Sequence, residues 1–420
     1  MPLDSLLKLL WLAVIFITLS GVAMGRLPGL AMNRATICLV GATVLVLTGA
    51  ISRASAYQAI DMDTIVLLLA MMVINVHLRH AGFFQWAARW TLSQSMAPPG
   101  ILAGLMLVSG LLSALFLNDT VVLALTPLVV AVARGAGLPP VPFLMGLAVS
   151  ANIGSVATII GNPQNMLIGI ASGISYQRFL AVLAPVALGG VVIAWCVLAL
   201  LYRQAWQSPA RPVKTDPVAA PPSAPCTTMP PRQNLLRKSL VATMLLLFSL
   251  LAGVPVALAA LGAAALLLIT RHMPPEQVFR EMDWGLLVFF ASLFVVTGAV
   301  ESIGLSGWLL HALGVEHHLD IPSLTITGAI LSNLVSNVPA VLLLRPVVVQ
   351  APAPEMAWLT LAMATTFAGN LTLLGSVANL IVAESARTQG VLLSFRAYLV
   401  AGVPITLLTL IWGDIWLIFL

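Results

Sequence analysis

Charge is scarce in this sequence: only 8% of its 420 residues are Asp, Glu, Lys or Arg. A soluble surface needs far more, so a water-soluble globular or disordered chain is excluded. Cysteine is equally sparse. Cys38, Cys196 and Cys226 are widely spaced and match neither a zinc pattern nor a disulfide framework. The sequence also holds no H-E-x-x-H, G-x-S-x-G or Walker-type loop, the signatures of membrane proteases, hydrolases and ATP-driven pumps. Basic residues outnumber acidic ones by five but sit scattered at segment ends, which argues against nucleic acid as a partner.

What is present is apolar. Hydrophobic residues make up 60% of the chain and the mean hydropathy is +1.05. Runs of roughly 17–25 apolar residues, the length a helix needs to cross a bilayer, recur throughout. Leu9 to Met24 is read as a retained helix rather than a secretory leader, because Asp4 stands beside a single Lys8 ahead of it.

Landmarks recur about 220 residues apart in the same order, which marks an internal duplication. Gly41 returns as Gly262, and Met62-Asp63 as Met282-Asp283, each acid opening an apolar helix. Gly82 and Trp86 return as Gly304 and Trp308, in short amphipathic pieces read as interfacial helices. Asn118 and Pro127 return as Asn337 and Pro346, in the shared form N-x8-P. Thr158 to Asn165 returns as Thr372 to Asn379, in the form T-x-x-G-x-x-x-N.

The expected fold is an all-α integral membrane protein of two repeats, each with five transmembrane helices, a helical hairpin and a broken helix. The first repeat covers 1–202, with its hairpin at about 98–135 and its broken helix at about 141–170. A cytoplasmic Pro/Ala-rich linker covers 203–238. The second repeat covers 239–420, with its hairpin at about 320–352 and its broken helix at about 355–384. An odd number of crossings per repeat makes the two copies inverted. Placing the linker inside puts fifteen basic residues on that side and leaves Lys8, Arg53, Arg178 and Arg345 outside, so both termini face outward. The expected location is a bacterial cytoplasmic membrane.

A polar interruption at membrane depth is tolerated only where it lines a protein-enclosed cavity. Asn118, Asp119 and Thr120 lie between the apolar arms LLSALFL and VVLALTPLVV, and all three suit a helix N-cap. The second tip is Ser336-Asn337-Val338-Pro339. Free N–H groups and the positive end of a helix favour an anion or a polar oxygen there. Asn152, Thr158 and Asn165, with Asn370, Thr372 and Asn379, stand in glycine-rich stretches that suggest unwinding. These residues, with Asn118, Thr120, Ser336 and Asn337, are the candidate substrate contacts. Small-residue helix packing is the alternative for the stretches, and ordinary caps for the tips. Asp119, read as the one acid squarely among apolar arms, is the candidate proton or cation carrier. Arg345 either supplies a counter-charge in the cavity or snorkels outward.

At these motifs the chain resembles the ion transporter superfamily. That group includes arsenite efflux permeases, divalent-anion/sodium symporters, citrate-transporter-like permeases, sodium/proton antiporters and the melanosomal P protein. The tips Asn118-Asp119-Thr120 and Ser336-Asn337-Val338 occupy the places of the Ser-Asn-Thr tips that bind sodium and carboxylate in dicarboxylate symporters. Asp119 would repel a dianion and Val338 lacks a hydroxyl, whereas arsenite permeases carry a similar Asn-Asp tip. The G-N-P-Q-N segment is closer to the broader anion-permease branches. The resemblance implies a secondary transporter of a small anion, oxyanion or metalloid, with proton-coupled efflux of arsenite or antimonite as the leading expectation. Sodium-coupled uptake of a di- or tricarboxylate or inorganic anion stays open, as does a passive channel. The implied partners are a small-molecule or ion substrate and the lipid bilayer, with a homodimer as the assembly and a cytoplasmic ATPase subunit if the chain is an arsenite pump. No cofactor is expected; a proton gradient, alternatively a sodium gradient, supplies the energy.

Overall fold

The computed structural model describes residues 3–25, 27, 29–92, 97–204, 233–269, 273–304 and 320–420. Within them the chain is helical, as expected, with connectors and no strand. The first half holds α1 (Leu3–Met24), α2 (Arg34–Leu47), α3 (Arg53–Ala59), α4 (Met62–His80), α5 (Phe83–Leu92), α6 (Pro98–Leu115), α7 (Asn118–Gly135), α8 (Pro140–Ser155), α9 (Pro163–Ser172) and α10 (Tyr176–Leu201). The second half holds α11 (Gln233–Leu251), α12 (Val256–Leu268), α13 (Pro275–Arg280), α14 (Trp284–Ser302), α15 (Ile321–Val335), α16 (Asn337–Val349), α17 (Pro354–Ala368), α18 (Val377–Arg387) and α19 (Phe395–Ile418).

Local chemistry sets the helix starts. Asn33 and Thr36 form a reciprocal capping box on α2, and Asp61, Ser175, Asp283 and Asp320 each accept a first-turn N–H of α4, α10, α14 and α15. Proline opens α6, α8, α9, α13 and α17, where its missing N–H has no helical partner to lose. Eight of the described helices are long and apolar enough to cross a membrane: α1, α4, α6, α7, α10, α11, α14 and α19. Large apolar side chains such as Phe16, Leu188, Leu200 and Phe248 stand exposed on them, a surface that hydrocarbon accepts and water does not.

Close backbone approach holds the spans together. A Cβ added at Gly154 of α8 would stand 2.1 Å from the Gly110 carbonyl oxygen of α6, so the two backbones touch there. The long helices α10 and α19 cross between halves. Trp412 Nε1 donates to the Val186 carbonyl at 3.2 Å and Trp416 Nε1 to that of Val182 at 3.0 Å, with Gly189 leaving room for the Trp412 ring.

Contacts between the halves come in exchanged pairs. α2 packs on α14 while α4 packs on α12; α7 packs on α18 while α9 meets α16; α8 meets α18 while α9 meets α17. At the 220-residue spacing each of these is the other's counterpart.

Two sequence expectations change. Helix α11 begins at Gln233, inside the stretch read as linker, and Lys238 Nζ donates to the Leu267 and Ile269 carbonyls at the end of α12. That contact gives Lys238 a helix-capping role. The short helices α3 and α13 are additions that weak periodicity had hidden. Asp61 caps α4, and Asp63 stands in its first turn, the helix-start place expected of it. Trp308 lies outside the described residues, as does 205–232.

The C-terminal end of α4 is tied to the second half by Glu281, which accepts from Arg79 and, at 2.7 Å, pairs with His80 Nε2. Burial alone would raise the Glu281 carboxyl, but the hydrogen bonds from His80 and Arg79 outweigh it and hold the group below its usual range. A lowered folded-state value means stability that is present above the unfolded pKa and lost as pH falls through the folded one. Glu281→Gln should therefore flatten the acid side of a melting-temperature profile; an unaltered profile would refute the tie. Gly154→Val should cost about 1–3 kcal/mol through overpacking and abolish a monodisperse elution peak. Gly135→Ala, which meets nothing within 4 Å, should elute like the parent.

Candidate substrate site

Two helix breaks form the centre of the molecule. α8 ends at Ser155 and α9 resumes at Pro163; α17 ends at Ala368 and α18 resumes at Val377. Each break frees carbonyls that lipid cannot satisfy. One asparagine answers them in each half. Asn165 Nδ2 donates to the carbonyls of Ser155 and Thr158, both at 3.0 Å, and Asn379 Nδ2 donates to those of Gly369 at 2.8 Å and Thr372 at 3.2 Å. Every one of these pairs recurs 214 residues on. The resuming helices are capped by Asn162 in the first half and Ser376 in the second, again 214 apart.

Between the breaks a network of amides and hydroxyls joins the halves. Asn152 is its hub: Nδ2 donates to Asn370 Oδ1 at 2.9 Å and Asn379 Oδ1 at 3.0 Å, while Oδ1 accepts from Asn118 Nδ2 at 3.2 Å and Ser376 Oγ at 3.0 Å. The counterpart of Asn152 is Thr366, whose Oγ1 accepts from Gln164 Nε2 at 2.7 Å and, more loosely, from Asn162 Nδ2 at 3.5 Å. Gln164 Oε1 accepts from Asn337 Nδ2 at 3.1 Å, and Asn337 Oδ1 accepts from Ser332 Oγ at 2.6 Å. The two tip asparagines therefore each reach across to the network, one to Asn152 and the other to Gln164. Among the described residues no charged side chain hydrogen-bonds to it.

Three buried atoms in or beside the network take no protein partner: Asn165 Oδ1, Asn370 Nδ2 and Ser113 Oγ. A buried unpaired polar atom costs about 1–3 kcal/mol, so they are the natural points for a bound molecule with both donors and acceptors. Thr158 is placed differently. Its hydroxyl donates to the Ala114 carbonyl of α6 and hydrogen-bonds Tyr176, bracing the break.

The tips differ from the sequence expectation. The N-cap position of α7 falls on Leu117, which has no side-chain cap bond, and Asn118 Oδ1 accepts instead from the Asp119 N–H at 3.0 Å. Asn118 N donates to the Gly161 carbonyl, joining the first tip to the first break. Asp119 and Thr120 are half-buried beside it. Asp119 senses two other charges, Asp283 at the start of α14 and Arg34 at the start of α2. Asp119 is also not the sole acid within a span, because Asp414 lies in α19 and accepts a hydrogen bond from Thr325. Its late position in the sequence, far from any repeated motif, had hidden it.

Ser336 adopts φ 77° and ψ 159°, the one positive φ on a non-glycine among the described residues. That region is essentially glycine's own, at a strain of about 1–3 kcal/mol. Aromatic side chains cover the first tip. Phe116 beside the first tip packs edge-on against Phe83 and Phe84 of α5, and Asn118 is 5% exposed. At the second tip Leu334 is 63% exposed, and Leu374 in the second break is 64% exposed, whereas 156–162 is wholly buried.

Asn162, Gln164, Ser332, Thr366 and Ser376 were not among the residues expected from the sequence. The 214 spacing pairs Asn162 with Ser376 and Asn152 with Thr366, so polar pairing reveals three of them, and the 219 spacing pairs Ser332 with Ser113; Gln164 matches Ala378 and carries no such signal. Ser336→Gly should raise the unfolding free energy by about 1–3 kcal/mol in detergent, read as a higher melting temperature. An unchanged melting temperature would mean the tip is unstrained.

With this geometry in view, the comparisons with known proteins agree with one another. The sequence profile of the family described as "CitMHS: Citrate transporter" matches residues 11–368. The silicon efflux transporter LSI3 of Oryza sativa subsp. japonica is 31% identical, over 94% of this chain and 93% of its own. A 46 kDa membrane protein of Mycobacterium leprae is 30% identical over 97% and 98%. The fold is shared with the YdaH transporter of Alcanivorax borkumensis, with a TM-score of 0.54 and 15% identity over 98% of this chain and 97% of that one. The chain thus belongs to the CitMHS citrate transporter family, and it is a multi-pass membrane transporter, not an enzyme.

Proposed function

We propose that this transporter exports small, uncharged polyhydroxyl acids, arsenite and antimonite foremost, in exchange for protons. The carrying observation is the uncharged network around Asn152, Gln164 and Thr366, with its unpartnered Asn165 Oδ1 and Asn370 Nδ2. Arsenous acid is neutral at pH 7 and offers hydroxyl donors and acceptors in every direction. Amides and hydroxyls match it without a counter-charge.

A tricarboxylate makes the opposite demand. Its charge calls for Arg or Lys in bidentate reach, and the network has neither, with Asp119 standing at one tip instead. The silicon efflux relative supports the same choice, since silicic acid is likewise a neutral polyhydroxyl species. The citrate name of the family is the observation that keeps sodium-coupled carboxylate uptake as the second reading.

In the proposed cycle the two repeats are inverted copies, and the tips and breaks carry the substrate between the two sides. Asp119 binds the driving proton at the start of α7, within the field of Arg34 and Asp283.

Cells sensitive to arsenite should accumulate at least tenfold less of it when they express the chain. Asp119→Asn should return accumulation to the control level while eluting as a folded protein. Equal accumulation with and without the parent chain rejects arsenite as substrate. Uptake of labelled citrate that follows sodium at fixed pH would replace this reading with the second.

A further inference from the structure

A cleft of about 680 Å³ lies well away from the amide network, where α10 of the first half meets α15, α17 and α19 of the second. Its volume falls within the roughly 300–1,000 Å³ of small-ligand sites. The walls are apolar, drawn from Leu324, Met356, Ala357, Leu417 and Ile418 among others. These residues lie at the ends of their helices, near the N-termini of α15 and α17 and the C-terminus of α19. Because α19 is a membrane span, its end places the cleft at the boundary between hydrocarbon and headgroups.

The rim is charged, with both signs. Arg178, in the first turn of α10, gives Nε to Glu355 Oε1 at 2.7 Å. The guanidinium's other N–H donors take no protein partner among the described residues, and their fork fits a phosphate. Asp320, which caps α15, lines the same cleft, and Glu355 stands beside Arg178. A cation donor flanked by two carboxylates is the complement of a headgroup that carries phosphate and ammonium together.

We infer that this cleft binds one zwitterionic phospholipid, its acyl chain along Leu324 and Leu417, its phosphate on Arg178 and its ammonium beside Asp320 and Glu355. The bound lipid bridges the two halves of the transporter. An anionic lipid presents the same phosphate but meets the two carboxylates without an ammonium. A detergent tail fills the wall and leaves the rim unanswered.

The experiment is native mass spectrometry of the full chain with phosphatidylethanolamine or phosphatidylglycerol of identical acyl chains. The parent should retain one phosphatidylethanolamine at least fivefold more readily than phosphatidylglycerol. Ala353→Trp, at an exposed position in the mouth of the cleft, should lower that retention at least fivefold. Arg178→Gln, which leaves the walls intact, should do the same, and melting curves confirm that both variants are folded. Equal retention of the two lipids, no retained lipid, or retention unaltered in both folded variants overturns the inference. None of these outcomes depends on which substrate the central network carries.

Discussion

Everything at the centre of this transporter follows from one constraint: a helix interrupted inside a bilayer must have its freed carbonyls answered by protein. Asn165 and Asn379 do so, each with one amide donating to two carbonyls of its own break. Without such a donor, each orphaned group would cost several kcal/mol in hydrocarbon. With it, the backbone can unwind at a fixed place, and the side chains around that place become available to one another across the halves.

The central network inherits its symmetry from these breaks and its asymmetry from the residues that differ. Asn152 and Thr366 are equivalent in position, but an amide has two faces to give and a hydroxyl has fewer. Asn152 therefore gathers Asn118, Asn370, Asn379 and Ser376, while Thr366 gathers Asn162 and Gln164. The tips diverge in the same way. One carries an acid at the start of α7 under a cover of Phe83, Phe84 and Phe116; the other carries a strained serine.

No charged side chain among the described residues hydrogen-bonds to the network, and ion pairs join the halves elsewhere. Arg79, His80 and Glu281 fasten α4 to the second half, and Arg178 and Glu355 pair α10 with α17. Charges there remain close to polar surroundings, where their desolvation is partial.

Composition and repetition determined much of this by themselves. Scarce charge and long apolar runs made the chain a membrane protein, because no other solvent accepts such a surface. The recurrence of N-x8-P and T-x-x-G-x-x-x-N located Asn118, Asn337, Asn165 and Asn379, because a break in lipid must be built from polar residues and those stand out in an apolar sequence. The tertiary structure alone decided what these residues do. It turned the Asn118 side chain from a cap into a partner of Asn152, committed Thr158 to Ala114 and Tyr176, and brought in Gln164, Ser332, Thr366 and Ser376. The reason is physical: a repeat shows which positions are equivalent, but a hydrogen bond between halves depends on distances of about 3 Å that no spacing along the chain encodes.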